Sequence, residues 1–399
     1  AAEKVAPILP QMLGANGQTR HYLVLAMSNV EIRACGGFPG SRGVMSVTDG
    51  KLELGDFVKV DMMKEPLSPL PITDEEANLF TTGWGLTGFN TLGYTMGDVT
   101  MTPDYPRAAQ LASDMQKAIV GDDIDGVFAV DPVFLQYMLG VVGGTQLPDG
   151  TVVDGNNAAK VLLHDIYWNY PVEEQDAIFA AVAGSAFNKI VDELGSSDIA
   201  KIAGAIEKGA SEGRILMYSR NDDEEKAAKA LGISGALQTD TSEAPILGVY
   251  VNNYSYSKMD WFLDKRVTID SSVENADGST TYRVTTTLKN TMTPQEKAEM
   301  PGYFQGHNGI SQDIDDEVLR LYLYAPAGGS ISDIKTSGSG SIEMNEATHD
   351  GLKVAWGGVH MLLGQDIKVE YTVTTSKDSG HKELKVRTTP TAQTFEQDK

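Results

Sequence analysis

The chain has 399 residues, enough for two or three domains, and 41% of them are hydrophobic, which is typical of a globular protein. Its 32 basic and 55 acidic side chains give a formal charge of -23, and the absence of any Lys- or Arg-rich cluster excludes nonspecific nucleic-acid binding. The single cysteine, Cys35, excludes an internal disulfide, and the six histidines lack the spacing of a structural zinc site.

The sequence carries no apolar run near the ~20 residues that span a bilayer. It begins at Ala1 without an initiator methionine or a signal-like segment. We therefore expect a processed or truncated chain from which any anchor has been removed.

The chain opens with a short helix or coil up to about residue 20, followed by predicted strands. Asp49-Gly50 is a tight-turn pair between two of these strands. The predicted strands cover residues 22–27, 43–48, 51–54 and 57–61. Residues 62–97 then lose any periodic pattern, which predicts a long irregular lid or binding loop with Trp84, Phe89 and Tyr94 as packing anchors.

Helical periodicity returns after Thr102-Pro103-Asp104, a helix start in which polar side chains cap free N–H groups and proline fits the first turn. A short apolar strand at residues 126–130 and a second helix start at Asp131-Pro132 follow. Further helices are predicted at residues 157–168, 173–194, 197–213 and 222–231, with a strand at 214–219. This alternation indicates an α/β core in layers.

Beyond residues 239–245 the helical pattern ends and β-branched alternation begins. Strands are predicted at residues 266–270, 280–288, 318–324, 341–343, 368–375 and 383–387. Short strands with regular turns favour a β-sandwich. We therefore expect an α/β domain over residues 1–245 and an all-β sandwich domain over residues 246–399.

The loop between the first two strands combines four glycines with Glu31, Arg33 and Arg42. Glycine permits close backbone approach to a ligand, and arginine offers a planar fork of donors for phosphate or carboxylate. The loop is interpreted either as an anion site or as a solvated connection between strands.

Four further charged residues could complete such a site: Asp61, Asp98, Asp104 and Arg107. Carboxylates at helix starts are often caps, and a neighbouring arginine often makes a surface ion pair. If the loops converge, the same groups would grip a pyrophosphate and hold a Mg²⁺ ion through Asp98 and Asp104. Both interpretations stay open.

Residues 252–261 mix Asn, Ser, Tyr, Lys and Asp too densely for an ordinary strand. One interpretation is a tightly hydrogen-bonded corner, because Asn and Ser satisfy irregular backbone. The other has Lys258 and Asp260 completing the ligand site.

The run R-x-x-G-G-F-x-G-S at residues 33–41 resembles the signature of a Gram-positive, mostly actinobacterial, cell-envelope family classed as a domain of unknown function. Other shared elements are T-P-D-Y-P at 102–106, D-G-V-F-A-V-D-P at 125–132, G-R-I-L at 213–216, which contains Arg214, and S-K-M-D at 257–260. The resemblance spans about residues 20–270. It implies an extracytoplasmic protein tethered by an N-terminal transmembrane helix.

The order of elements also resembles, at a distance, the LytR-CpsA-Psr phosphotransferases, which attach lipid-linked glycopolymers to peptidoglycan. This resemblance implies that Arg33 and Arg42 contact a pyrophosphate, with Asp61 or Asp104 holding magnesium or acting as the catalytic carboxylate. The sequence departs from that pattern at residues 40–43, G-S-R-G, where the enzymes have R-S-D-T. It departs again at residues 173–176, E-E-Q-D, where they have an arginine-rich helix start.

Two functions follow from these observations. The first is an envelope protein that binds a (pyro)phosphorylated or polyprenyl-linked glycan precursor, with transfer to a cell-wall polymer as its catalytic form. The ligand would be bound by Arg33, Arg42, Arg107, Arg214, Lys258 and Asp260. The catalytic residues would be Asp61 and Asp104. The second is a non-catalytic exported scaffold or a glycan- or protein-binding module.

Overall fold

The computed structural model describes residues 7–60, 70–85, 88–147, 149–193, 199–255, 257–306 and 316–393. The chain divides into two compact units. The first unit contains residues 1–29, 35–71 and 92–236, and the second contains residues 30–34, 72–91 and 237–399. This division differs from the contiguous one expected at residue 245, because two early segments contribute to the second unit; Ile32, for example, belongs to its hydrophobic core.

The strands, numbered in chain order, are as follows. They are β1 Thr19–Ser28, β2 Phe38–Thr48, β3 Lys51–Leu54, β4 Val58–Lys59, β5 Thr81–Gly85, β6 Gly88–Thr91, β7 Gly126–Val130, β8 Thr145–Gln146, β9 Val152–Val153, β10 Ile215–Ser219, β11 Ile246–Asn253, β12 Leu263–Glu274, β13 Thr280–Asn290, β14 Glu317–Tyr324, β15 Ser330–Gly338, β16 Ser341–His349, β17 Leu352–Met361, β18 Asp366–Thr374 and β19 Lys385–Thr388.

The α-helices, numbered in the same way, are α1 Leu9–Met12, α2 Asp74–Leu79, α3 Tyr105–Val120, α4 Pro132–Val142, α5 Ala158–Lys160, α6 Ile166–Asn169, α7 Val172–Glu193, α8 Ile199–Ser211, α9 Asp222–Ala230, α10 Pro294–Glu299 and α11 Gly302–Gln305. A π-helical turn, Val161–Asp165, joins α5 to α6, and short 3₁₀ helices cover Met96–Met101, Met259–Phe262 and Lys377–Ser379. Across the described part of the chain, no helix combines the length and apolar character needed to cross a membrane.

The first unit is built on a mixed sheet with strand order β10-β7-β1-β2-β3, in which β4 also pairs with β2. β1 runs parallel to β7 and antiparallel to β2. The β2–β3 turn has Asp49 at φ 48° and Gly50 at φ 80°, as a two-residue hairpin turn with both residues left-handed requires. Helices α3 and α9 contact β10, and α4 contacts α7 and α8, so the unit is a mixed α/β structure.

Two helix starts show how local sequence positions these elements. At α4, the Asp131 carboxylate accepts a hydrogen bond from the Phe134 N–H at 2.7 Å, and Pro132 occupies the first turn. At α3, Asp104 is the N-cap residue, but its side chain makes no capping hydrogen bond. The two starts therefore share a pattern in sequence and differ in what the aspartate does.

Irregular structure over residues 62–97 was expected, and this expectation is wrong for part of the range. The described residues there include α2, β5 and β6. Thr73 and Glu76 form a reciprocal capping box that starts α2. Asp61 and residues 62–69, as well as the side chains of Trp84 and Phe89, lie outside the description.

The second unit contains two larger sheets, with strand orders β16-β17-β14-β11-β19 and β12-β13-β18-β15. Their inner residues share one hydrophobic core, which includes Val249 and Leu321 from the first sheet and Val284 and Val369 from the second. The sequence reading missed β11, β15 and β17. β11 was overlooked because its eight residues carry apolar side chains without alternation and end in Asn252-Asn253.

Candidate functional site

Arg33, at the start of the signature, belongs to the second unit and is 3% exposed. Its Nη1 donates to the backbone carbonyls of Ile32 and Asn253, each at 3.1 Å. Backbone carbonyls cannot neutralise the guanidinium, but they satisfy the donors of Nη1, so these contacts direct Arg33 towards the end of β11.

The segment around Arg33 is held to the second unit along its length. The Asn253 N–H donates to the Ile32 carbonyl at 2.8 Å. The Ala34 N–H donates to Oδ1 of Asn252 at 2.8 Å, and the Thr389 hydroxyl donates to the Ala34 carbonyl at 3.0 Å. Residues 30–34 therefore form an extended clasp on β11, with the Ile32 side chain in the core beneath.

Asp260 lies beside this clasp, on the short 3₁₀ helix Met259–Phe262, and is 1% exposed. Its Oδ2 accepts hydrogen bonds from the Ile32 N–H at 2.6 Å and from Nδ2 of Asn253 at 2.8 Å. Burial raises the pKa of Asp260 to about 6, although these hydrogen bonds and the charge of Arg33 oppose the rise.

Glu317, the first residue of β14, is the carboxyl neighbour of Asp260 and is fully buried. Burial raises the pKa of Glu317 well above its usual range, and the negative charge of Asp260 raises that pKa further. We name Glu31, Arg33, Asn253, Lys258, Asp260 and Glu317 the Arg33 cluster.

Lys258 is 5% exposed, and its Nζ lies 3.4 Å from Oε2 of Glu31. The same ammonium lies 4.4 Å from the centre of the Tyr303 ring, and that tyrosine is 44% exposed. A cation over an aromatic face is attracted by the electron-rich ring. This end of the Arg33 cluster therefore reaches the surface of the second unit through Tyr303.

The polar stretch that contains Lys258 is extensively hydrogen bonded. The Ser255 N–H donates to Oδ1 of Asn253 at 2.8 Å, and the hydroxyls of Ser255 and Ser257 are 2.6 Å apart. The Met259 N–H donates to Oγ of Ser257 at 3.3 Å. These contacts are those of a polar corner in which side chains satisfy irregular backbone, and Lys258 and Asp260 still lie in the same unit as Arg33.

Two other predicted arginines are buried in the first unit. Arg42, on β2, is 4% exposed and donates through Nε to Oε1 of Gln116 at 2.8 Å. Arg214 is 3% exposed, and its Nη1 lies 2.9 Å from Oδ2 of Asp131. Burial raises the pKa of Asp131, while the Arg214 charge and the Phe134 N–H oppose that rise.

Arg107 and Asp104 are the predicted site residues of the first unit that are only half-buried. They lie three residues apart at the start of α3, with Asp104 as the extended N-cap residue and Arg107 in the first helical turn. Nη2 of Arg107 donates to the Pro71 carbonyl at 2.8 Å.

The proposed magnesium ligands do not form a complete set. Asp98 is 1% exposed, and its Oδ2 accepts a hydrogen bond from the Thr95 hydroxyl at 2.6 Å. Magnesium takes six oxygen ligands in near-octahedral geometry. Within the described residues there is no group of three or more His, Cys, Asp or Glu side chains placed to hold a metal ion, and Asp61 lies outside them. Asp98 and Asp104 thus do not fit a magnesium site by themselves.

Sequence reasoning missed Glu317 and the second role of Asp131. Glu317 directly precedes the predicted strand at residues 318–324, where an acidic residue is easily read as part of a turn. Asp131 was interpreted only as a helix cap, yet it also accepts a hydrogen bond from Nδ2 of Asn29 at 3.0 Å. The charged neighbours of both residues are distant in sequence, so no local signal indicates them.

Comparison with protein families finds one match in the first part of the chain. The model of a family described as a protein of unknown function, DUF4012, matches residues 17–167. No curated protein matches the chain in sequence. The matched region includes the complete signature at residues 33–41 and the start of α3.

Three solved bacterial structures show some likeness to the chain. Protein gbs0355 of Streptococcus agalactiae is 11% identical, with 54% of this chain and 74% of that chain covered at a TM-score of 0.34. TagV of Bacillus subtilis is 14% identical, with 55% and 82% covered at a TM-score of 0.31. A transcriptional regulator of Enterococcus faecalis is 11% identical, with 54% and 72% covered at a TM-score of 0.26. TM-scores this low do not establish a shared fold.

Proposed function

We propose that this chain is an extracytoplasmic cell-envelope protein, membrane-anchored in its full form, with a non-catalytic role as a scaffold or as a glycan- or protein-binding module. The observation that carries the proposal is the burial and internal hydrogen bonding of three arginines that were predicted to bind the ligand. Arg33, Arg42 and Arg214 are 3%, 4% and 3% exposed, and each donates to oxygen atoms of the protein itself. A ligand would have to displace those partners, and its own charged groups would lose their water on entering the buried site.

The resemblance of residues 20–270 to a Gram-positive envelope family supports the location. The proposal includes the finer expectation for the fold, an α-β-α layered core like that of the LytR-CpsA-Psr proteins followed by a β-sandwich. It is supported by the mixed sheet with packed helices in the first unit and by the shared core of the two sheets in the second.

A surface suited to such binding lies around Tyr303. Its exposed ring lies over the buried ammonium of Lys258, which pairs with the half-buried carboxylate of Glu31, so the surface itself is aromatic. Aromatic rings of this kind give large contact areas with a polar handle, which suits binding to a sugar ring or a protein side chain.

The test is binding of the purified chain to isolated cell-wall glycan polymer, measured by sedimentation. We expect binding by the wild type, a clear loss in Tyr303→Ala, and no change in the control Tyr170→Ala, which removes an aromatic ring from the first unit. Equal binding by wild type and Tyr303→Ala would contradict the assignment of this surface.

The second candidate is binding of a (pyro)phosphorylated or polyprenyl-linked glycan precursor and its transfer to a cell-wall polymer. Asp104 and Arg107 favour it, because a carboxylate and a guanidinium, both only half-buried, lie three residues apart at one helix start. In this form the carboxylate would deprotonate the acceptor hydroxyl, with Mg²⁺ as an added requirement.

A polyprenyl-pyrophosphate glycan distinguishes the two candidates. Transfer that requires Mg²⁺ and is lost in Asp104→Asn and Arg107→Ala, but kept in the control Lys117→Ala on the same helix, would establish the transferase. Absence of both binding and transfer with this probe leaves the non-catalytic role.

A further inference from the structure

Asp260 and Glu317 place two carboxyl groups side by side in the interior of the second unit. They are 1% and 0% exposed. Among the described residues, none donates a hydrogen bond to Oδ1 of Asp260 or to either oxygen of Glu317. Two adjacent carboxylates, three of whose four oxygen atoms accept no hydrogen bond from the described residues, would repel each other strongly in a medium of low dielectric constant.

A single proton resolves this conflict. Carried by Glu317, it forms a hydroxyl that can donate to Oδ1 of Asp260, so one oxygen atom of each carboxyl group gains a hydrogen-bond partner. The Oδ2 atom of Asp260 remains committed to the Ile32 N–H at 2.6 Å and to Asn253 at 2.8 Å.

The charges around the pair agree with one bound proton. Arg33 and Lys258 supply two positive charges, and Glu31, Asp260 and Glu317 supply three carboxyl groups, so the cluster is neutral only when the Asp260–Glu317 pair holds one proton. Next along the chain, Asp316 pairs with His360 at 3.2 Å.

We propose that Asp260 and Glu317 share one buried proton, and that this proton acts as a pH-sensitive latch for the clasp at residues 30–34. Asp260 connects the latch to the clasp directly, through the Ile32 N–H. Loss of the proton places a second negative charge beside Asp260, and the repulsion weakens the end of β11 where Arg33 is bound. The signature segment is thus held most firmly at acidic pH.

The direction in which the stability of the second unit changes with pH follows from proton linkage. Both carboxyl groups have a pKa that is higher in the folded protein than in an unfolded chain, where the values are about 4. The stabilising effect is complete below that value and is lost as the pH rises through about 6 for Asp260 and through the raised pKa of Glu317. For each proton retained by the folded state alone, the unfolding equilibrium constant increases about tenfold per pH unit.

The experiment compares the purified full chain with Glu317→Gln and with the control Glu343→Gln, which makes the same change on the exposed strand β16. Amide hydrogen exchange at Ile32 and Asn253, corrected for the intrinsic pH dependence, reports opening of the second unit. We expect opening in the wild type to increase relative to Glu317→Gln by about tenfold per pH unit above about pH 5. The Glu343→Gln variant should follow the wild type.

A second measurement does not depend on any variant. Carbon-13 NMR of labelled glutamate carboxyl groups in the wild type should show one glutamate that titrates at clearly higher pH than the others, and its resonance should be missing from Glu317→Gln. Parallel pH profiles of wild type and Glu317→Gln, or a wild type in which every glutamate titrates in the ordinary range, would overturn the proposal.

Discussion

Nη1 of Arg214 lies 2.9 Å from Oδ2 of Asp131, and the two side chains are 3% and 0% exposed. The pair connects β7 and α4 to β10, because Asp131 follows β7 and caps α4 while Arg214 precedes β10. A buried ion pair of this kind is essential once present, since either partner alone is an uncompensated buried charge.

We therefore expect Arg214→Ala to lower the free energy of unfolding of the first unit by about 3–5 kcal/mol. Urea denaturation followed by circular dichroism measures the change. Lys226→Ala is the control, because the side chains of its ion pair with Asp223 are 75% and 72% exposed, and its removal should have no measurable effect. A stable Arg214→Ala variant that loses only ligand binding would show that Arg214 acts on a ligand.

Arg33 should behave as a structural residue of the second unit. Arg33→Lys keeps the charge, but its shorter side chain cannot place a nitrogen where Nη1 of Arg33 reaches the carbonyls of Ile32 and Asn253, so we expect a loss of about 1–3 kcal/mol in stability. Thermal unfolding of the two proteins measures it. Arg107→Lys, at a half-buried position, is the control and should unfold like the wild type. Unchanged stability in Arg33→Lys would contradict the clasp.

Within the signature, Gly37 and Gly40 differ in what surrounds them. A Cβ atom at Gly37 would lie 2.4 Å from the Ser28 carbonyl oxygen, whereas one at Gly40 meets nothing nearer than the Phe38 ring at 4.0 Å. Because the backbone at Ser28 would have to shift, Gly37→Ala should lower the free energy of unfolding by about 1–3 kcal/mol. Gly40→Ala should leave it nearly unchanged. Chemical denaturation of both variants tests the difference, and equal stability would show that the backbone yields easily.

The second unit should not fold from residues 237–399 alone. That fragment lacks Ile32, whose complete burial contributes about 1.5–3 kcal/mol. It also lacks the Leu79 carbonyl, which accepts hydrogen bonds from the Tyr322 hydroxyl and from Nη1 of Arg320, both at 2.9 Å.

We expect the fragment to show poorly dispersed amide resonances and no cooperative thermal transition, in contrast to the full chain. A fragment with a sharp transition and native-like dispersion would mean that residues 30–34 and 72–91 are dispensable to this unit.

The helix and turn boundaries were the most predictable features. The Asp49-Gly50 turn, the start of α4 at Asp131-Pro132 and the long helix α3 are all visible in the sequence. Each depends on interactions among residues a few positions apart, and such interactions can be predicted from the local sequence. Asp104 marks the limit of this reasoning, since its position is that of a cap while its side chain makes no capping bond.

The candidate site was only partly accessible in this way. The residue types of Arg33, Lys258 and Asp260 marked them as candidate site residues. Their contacts could not be predicted from the sequence. Arg33 meets a carbonyl 220 positions away, and Arg214 meets a carboxylate 83 positions away. Whether an arginine grips a ligand or the protein's own oxygen atoms depends on which distant segment packs beside it.

Local order along the chain thus specified a mixed α/β region, a β-rich region after it and the residues most suited to binding charge. Tertiary packing alone decided that residues 30–34 and 72–91 belong with the β-rich part, and that Glu317 lies beside Asp260. The physical reason is that burial and charge pairing are properties of neighbours in space. The residues adjacent in sequence determine neither how far a carboxyl group is desolvated nor which group pairs with a guanidinium.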